Sequence, residues 1–333
     1  GRGGGADLSA LETAIDSIAA VTSAPTAVGV KSSVPPGSAG RLGAYRVQAG
    51  SDAPLVLNPE FLQESRAVEG ILHPHRVVVG SHDRQARRLV AMLHEPFGAP
   101  IIETDAESAA LTKYASNAYL AARLTFVNAI AHLAESVGAD VGAVLEGMAL
   151  DPRIGGHYLR PGPGYGGSCF PKDLRALVAA ADAYGHDLKL IKAVVATNDD
   201  QLDRVVAKTG DAIGGLSGRI VALLGLAFKS GTEDTRGSPA VGLARRLTAA
   251  GAQVRAYDPA ARVDLEGVTL VPDALTAATG ADAVLVATEW PEFAVIDPRR
   301  LAAVMRGSAV VDARNLLDKD VVLAAGLVYW GLG

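Results

Sequence analysis

Only one cysteine, Cys169, occurs in the 333 residues, so an internal disulfide is excluded. Aromatic residues are scarce, at 5%. No run of about 18 uncharged apolar residues is present, which excludes a membrane-spanning helix. There is no dense Lys/Arg run, and the formal net charge is −5. A nucleic-acid partner is therefore not expected, although local basic pockets for phosphates remain open. The opening residues, Gly1 to Gly5, are small and polar, and no apolar segment follows them in the manner of a secretory signal. One thiol and no signal point to a reducing, cytoplasmic setting. No metal site is expected.

What is present is a folded-protein composition, 49% apolar and 20% charged, long enough for two or three domains. Leu8, Leu11, Ala14, Ile15 and Ile18 fall on one helical face that Asp7 can cap. Short strands are expected at 26–30, 55–57 and 76–80, with loops at their carboxyl ends, as in the second half of a parallel α/β domain. The glycines at 1–5 follow no strand and open no βα turn, so they are not a dinucleotide fingerprint. A long Ala/Leu-rich helix is predicted over 105–138, another over 141–148, a Gly/Pro-rich loop over 151–167, and helices over 171–184 and 188–213. After Gly214-Gly215 the pattern alternates again. Strands at 219–225, 253–257, 283–287 and 309–311, with helices near 240–250 and 298–305, read as a doubly wound α/β domain. The expected fold class is α/β with three parts: a partial Rossmann-like domain (1–104), an all-helical middle (105–213) and a second Rossmann-like domain (214–333).

Four segments carry chemistry. The run 161–173, PGPGYGGSCFPKD, places Cys169 next to a helix entrance marked by Pro171. There the helix dipole and Lys172 favour a thiolate, and Asp173, one turn on, can orient a water. Its glycines allow close backbone approach to a ligand. A lone cysteine is in general a small buried hydrophobe; it is the neighbourhood that argues otherwise. Glu107, Lys113 and Asn117 lie on the long helix, and the last two, four apart, share a face. The run 58–64, NPEFLQE, sets Glu60 and Glu64 at the carboxyl end of a strand. The run 225–236, GLAFKSGTEDTR, brings Lys229 and Arg236 to a helix entrance, a place for a pyrophosphate.

These segments, in this order, resemble the hallmarks of the UDP-glucose 6-dehydrogenases: NPEFL, a helical Lys and Asn four apart, GYGGSCFPKD and FKxxTxDTR. The match runs from about Asp7 to the end. The resemblance implies an NAD-dependent enzyme with Cys169 as nucleophile, Lys113 steadying the alkoxide, Asp173 serving hydrolysis, Glu60 as acid/base and Asn117 holding the reacting region. It places substrate contacts on Glu60, Phe61, Leu62, Glu64, Lys113, Asn117, Arg153, Tyr158, Leu159, Arg160, Pro161, Gly162, Gly166, Phe228 and Lys229. Arg153 would reach the sugar nucleotide of a neighbouring subunit. NAD contacts fall on Ser33, Glu64, Lys172 and Arg236. Ser33 stands where the family usually has threonine.

The implied reaction is the four-electron oxidation of UDP-glucose to UDP-glucuronate through a thiohemiacetal and a thioester. The implied assembly is a homodimer or larger homo-oligomer built on the central helix. The family also opens with a strand and a GxGYVG loop that is not found here. The chain as it stands is accordingly expected to bind a UDP-sugar, to hold NAD poorly and not to turn over alone. Two alternatives stay open: a sister dehydrogenase acting on UDP-N-acetylmannosamine or GDP-mannose, and a non-catalytic nucleotide-sugar-binding fragment.

Overall fold

The computed structural model describes residues 7–21 and 27–333. Thr26 and the Gly1–Gly5 run therefore lie outside the described residues. In chain order the elements are α1 (Ser9–Ala19), β1 (Val28–Val30), α2 (Ala39–Gln48), β2 (Leu55–Leu57), α3 (Ala67–Leu72), β3 (Val77–Gly80), α4 (Arg84–Met92), a 3-10 turn (Glu95–Phe97), β4 (Ile101–Thr104) and α5 (Ala106–Val137). There follow α6 (Val141–Ala149), α7 (Phe170–Ala183), α8 (Lys189–Ile213), β5 (Ile220–Leu224), α9 (Pro239–Ala249), β6 (Gln253–Tyr257), β7 (Val268–Leu270), α10 (Ala274–Ala278) and β8 (Ala283–Val286). The chain closes with α11 (Pro291–Ala294), α12 (Pro298–Val304), β9 (Ala309–Asp312), α13 (Lys319–Ala324) and β10 (Val328–Trp330). Residues 151–167 form no helix or strand.

The chain divides into two compact units. One comprises 1–119 with 172–191, the other 120–171 with 192–333.

The first unit holds a four-stranded sheet in the order β1-β2-β3-β4. Alternation along the strands supplies both of its faces. Val30, Leu57 and Val78 pack with Leu8, Ile15, Leu42, Ala106 and Ala109. Val56, Val77 and Val79 pack with Ala86, Val90 and Ala91 of α4. The expectation of a wholly parallel sheet is corrected: β1–β2 and β3–β4 are parallel, but β2 meets β3 antiparallel at Leu57 and Gly80. The only helix between them, α3, has six residues and spans about 9 Å. It does not carry the chain back along the sheet as a parallel crossover must. Asp7 works one position away from a regular cap, accepting from the Ser9 amide at 2.9 Å.

The second unit holds a six-stranded sheet, β10-β9-β8-β5-β6-β7, with every pair parallel. Val221 and Leu223 face one core and Ala222 and Leu224 the other. The strand order reverses between β5 and β8, the switch point where doubly wound sheets collect ligands at their carboxyl ends.

Candidate active site

In the first unit, β1 and β2 run side by side and deliver Ser33 and the Asn58–Glu64 turn at their carboxyl ends. Glu107, in the first turn of α5, fastens the Ser33 loop by accepting from the backbone amides of Gly37 at 2.6 Å and Ala39 at 3.1 Å. Further along α5, Lys113 donates to Glu60 Oε1 at 2.9 Å, while Glu60 Oε2 accepts from the Leu62 amide at 2.6 Å. The Lys113 side chain is only 4% exposed. A lysine removed from water and set against one carboxylate is not a surface residue. One turn on, Asn117 Nδ2 donates to Asp173 Oδ2 at 2.6 Å. Asp173 is 1% exposed, and its other oxygen accepts from Lys172 Nζ at 2.7 Å.

The shared face of Lys113 and Asn117 therefore holds the two acids singled out from sequence, Glu60 and Asp173. Burial first, then the charge of Asp173, pushes the Tyr114 phenol above its ordinary range. Phe61 lies under the Arg76 guanidinium, 3.8 Å from the ring centre. It also lines, with Glu60 and Leu62, a cavity of about 370 Å³. Glu64 is half-buried just beyond. Lys172, expected from the sequence to favour the Cys169 thiolate, gives its ammonium to Asp173. A carboxylate stripped of water outbids a thiol for a flexible cation.

In the second unit Cys169 stands immediately before α7 and is exposed. It is not the buried hydrophobe that a lone cysteine usually is. Ser168 Oγ lies 3.7 Å from its Sγ. The loop leading to it is held by polar side chains that spacing could not single out. Asn128 Oδ1 accepts from the Gly162 amide at 2.8 Å, and Gln201 Nε2 donates to the Gly162 carbonyl at 2.8 Å. Asn198 accepts from the Tyr165 amide and donates to its carbonyl. Leu159 packs with Val127, Ala131, Val141 and Leu145, and Pro161 is buried while Arg160 is exposed. Tyr158 adopts φ 58°, and burial raises its phenol pKa.

A Cβ on Gly166 would run into the Gly237 carbonyl and the Pro239 ring, and one on Gly167 would come within 2.9 Å of the Phe228 ring. These two glycines are thus demanded by the packing of the loop itself, and not only by approach to a ligand as read from sequence. Phe228 and Lys229 follow β5 at the switch point, with Lys229 Nζ 5.6 Å from the Phe228 ring centre. Arg153 and Arg236 are exposed and bound to Asp151 and Asp234, at 2.6 and 2.8 Å. Arg314, which sequence reasoning missed, follows β9 and reaches into this region. It donates to the carbonyls of Ala287 and Phe228 and pairs with Glu289 at 3.1 Å. A Cβ on Gly162 would sit 3.3 Å from it. Its signal was its position, just past the carboxyl end of β9, one strand from the switch point.

Comparison with known proteins decides the family. Over 339 residues the chain is 39% identical to a UDP-glucose 6-dehydrogenase of Bacillus subtilis (strain 168), covering 99% of this chain and 73% of that protein. It is 41% identical over 345 residues to the UDP-glucose 6-dehydrogenase of Rhizobium meliloti (strain 1021), covering 100% and 79%. The chain belongs to the UDP-glucose/GDP-mannose dehydrogenase family. Residues 2–98 match the family's NAD binding domain, 107–200 its central domain and 222–319 its UDP binding domain. A UDP-glucose dehydrogenase from the hyperthermophilic archaeon Pyrobaculum islandicum superposes with a TM-score of 0.90 at 33% identity, covering 100% of this chain and 77% of that one. As a dehydrogenase of this family the chain is an oxidoreductase with an NAD cofactor. Among its described residues no helix is long and apolar enough to cross a membrane.

Proposed function

We propose that this dehydrogenase oxidises C6 of UDP-glucose to the carboxylate of UDP-glucuronate, with Cys169 as the covalent nucleophile. One observation carries the reading. An exposed thiol directly precedes α7, and the first turn of that helix carries Asp173, buried and bonded to Asn117. The relatives named UDP-glucose 6-dehydrogenase support the choice of sugar.

Ser33 and Glu64, at the carboxyl ends of β1 and β2, offer a hydroxyl and a carboxylate that suit the hydroxyls and amide of NAD. Lys172 and Arg236 offer cations for its phosphates. Two NAD molecules, bound in turn, would each accept one of the two hydrides that C6 gives up between alcohol and acid. The Cys169 thiolate adds to the C6 aldehyde, forming a C–S bond and leaving the charge on oxygen. Lys113 meets that charge, and Glu60, hydrogen-bonded to it, exchanges the proton at the C6 oxygen. Loss of the second hydride leaves a thioester. Water oriented by Asp173 then adds to C6, the C–S bond breaks, and the acid departs as the thiolate is restored. Asn117 fixes the Asp173 carboxylate for that step.

The nucleotide portion falls to Tyr158 through Gly162, Gly166, Phe228 and Lys229, to which the geometry adds Arg314. Phe61 and Leu62 frame the sugar, and Arg153 serves a neighbouring copy. A homo-oligomer built on α5 is supported by the exposure of Tyr119, Phe126 and Leu133. They are spaced seven apart on one helix, a seam that suits a second copy.

The reading is tested by alkylation. Iodoacetamide is expected to label Cys169 of the full-length protein, UDP-glucose to slow that labelling, and Cys169→Ser to end formation of UDP-glucuronate. Labelling unaffected by UDP-glucose, with acid still produced by the serine variant, would contradict it.

A further inference from the structure

We propose that His94 is a positioning residue for the Glu60 carboxylate, acting through the buried amide of Asn58. The inference deepens the reaction assigned above and rests on that reading for its kinetic consequences.

Asn58 is 2% exposed and tied on every side. Its backbone amide donates to the Val30 carbonyl at 2.8 Å, extending the β1–β2 ladder by one bond. Its side-chain Nδ2 donates to the Val78 carbonyl of β3 at 2.8 Å. That contact fixes which way the amide faces, so Oδ1 is the group left to meet its other two partners. Lys31 Nζ reaches it at 3.0 Å and His94 Nε2 at 2.8 Å. An amide oxygen has two lone pairs and no proton. Both lone pairs are taken, and His94 must carry its proton on Nε2 to make the bond.

Pro59 then fixes one backbone torsion between this knot and Glu60. Glu60 is held in turn by Lys113 and the Leu62 amide. The path from His94 to the acid is therefore short and stiff: imidazole, amide, proline, carboxylate. His94 is the second of the two residues between α4 and the 3-10 turn. It is half-buried and packed near Phe97, 6.0 Å between ring centres.

The surroundings keep the imidazole in its neutral, donating form. Burial first, then the charge of Lys31, lowers its pKa. The other charged or titratable groups that share its cavity are Glu60, Arg66, Glu69, His73, His75 and Arg76. A second cation on Asn58 Oδ1 would stand against Lys31, which disfavours protonation of His94. Loss of the His94 bond leaves a buried amide oxygen short of one donor and frees the turn that carries Glu60. Misplacing an acid/base group in this way costs roughly 10- to 100-fold in rate.

The test compares His94→Phe with His94→Gln in the full-length protein. Gln places an N–H donor where Nε2 stands, and Phe does not. His94→Phe is expected to lower kcat roughly 10-fold or more, with KM for UDP-glucose and NAD changed less than about two-fold. His94→Gln is expected to recover most of the loss and to keep the thermal midpoint of the parent, whereas His94→Phe lowers that midpoint because it leaves the buried Asn58 oxygen short of a donor. A His94→Phe enzyme with parental kcat overturns the proposal, as does a Gln variant no better than Phe. Nitrogen-15 histidine spectra read the geometry independently of turnover: an Nε2–H tautomer supports the bond to Asn58 and an Nδ1–H tautomer overturns it. Parent protein that does not oxidise UDP-glucose would count against the assigned reaction, and the tautomer would still decide the contact.

Discussion

At the scale of single residues, the site is organised by pairing. Lys113 and Asn117 occupy one face of α5, and each holds an acid from a distant part of the chain, 53 and 56 residues away. The four-residue spacing was legible in the sequence because helical periodicity is local. The partners were not, since no local pattern encodes a contact across fifty residues. Lys172 shows the limit of reading neighbours along the chain: adjacent to Asp173 and near Cys169 in sequence, it gives its ammonium to the acid. Removing Lys113 strips Glu60 of the ammonium hydrogen-bonded to it and removes the charge proposed to meet the C6 oxyanion. Lys113→Ala is therefore expected to lower kcat by about 100-fold or more while KM for UDP-glucose moves only a few-fold. Steady-state kinetics check this, and a kcat within three-fold of the parent would return Lys113 to a structural role.

At the scale of elements, long and strongly patterned segments were legible and short ones were not. The predicted helix at 105–138 is α5, trimmed by one residue at each end, because a run without glycine or proline has no internal stop. Strand β4 escaped notice: its burial pattern is half-buried, exposed, exposed, half-buried, without the apolar alternation that marks a strand. Helix α2 was missed because Gly40 and Gly43 dilute its propensity. The antiparallel turn into β3 depends on how short α3 is, which is not a pattern but a length.

The Gly-rich loop was found by composition, yet the reason for its glycines lies in packing. Gly166→Ala is expected to destabilise the protein by roughly 1–3 kcal/mol, because its Cβ meets the Gly237 carbonyl and the Pro239 ring. Gly147→Ala, in helix α6 with nothing within 4 Å, serves as the control and is expected to be neutral or stabilising by up to about 1 kcal/mol. Thermal unfolding of both variants checks the pair. Equal midpoints would mean that the loop yields to the added methyl.

At the scale of the whole molecule, each unit carries its own sheet and its own share of the proposed chemistry. The first holds the acids and the lysine, the second the thiol and the nucleotide-binding loops. The alternation of strand and helix made both sheets legible. The helical stretch 105–213 is shared between the two units. Helices α5 and α8 are each continuous through a boundary that only three-dimensional contacts define. In the proposed reaction a single thiol carries an alcohol through to the acid without releasing the aldehyde. The direct measurement is stoichiometric: full-length protein, UDP-glucose and excess NAD, with NADH followed by absorbance and product by chromatography. Two NADH are expected for each UDP-glucuronate, with no free aldehyde accumulating. One NADH per sugar consumed, with the aldehyde released into solution, would contradict it.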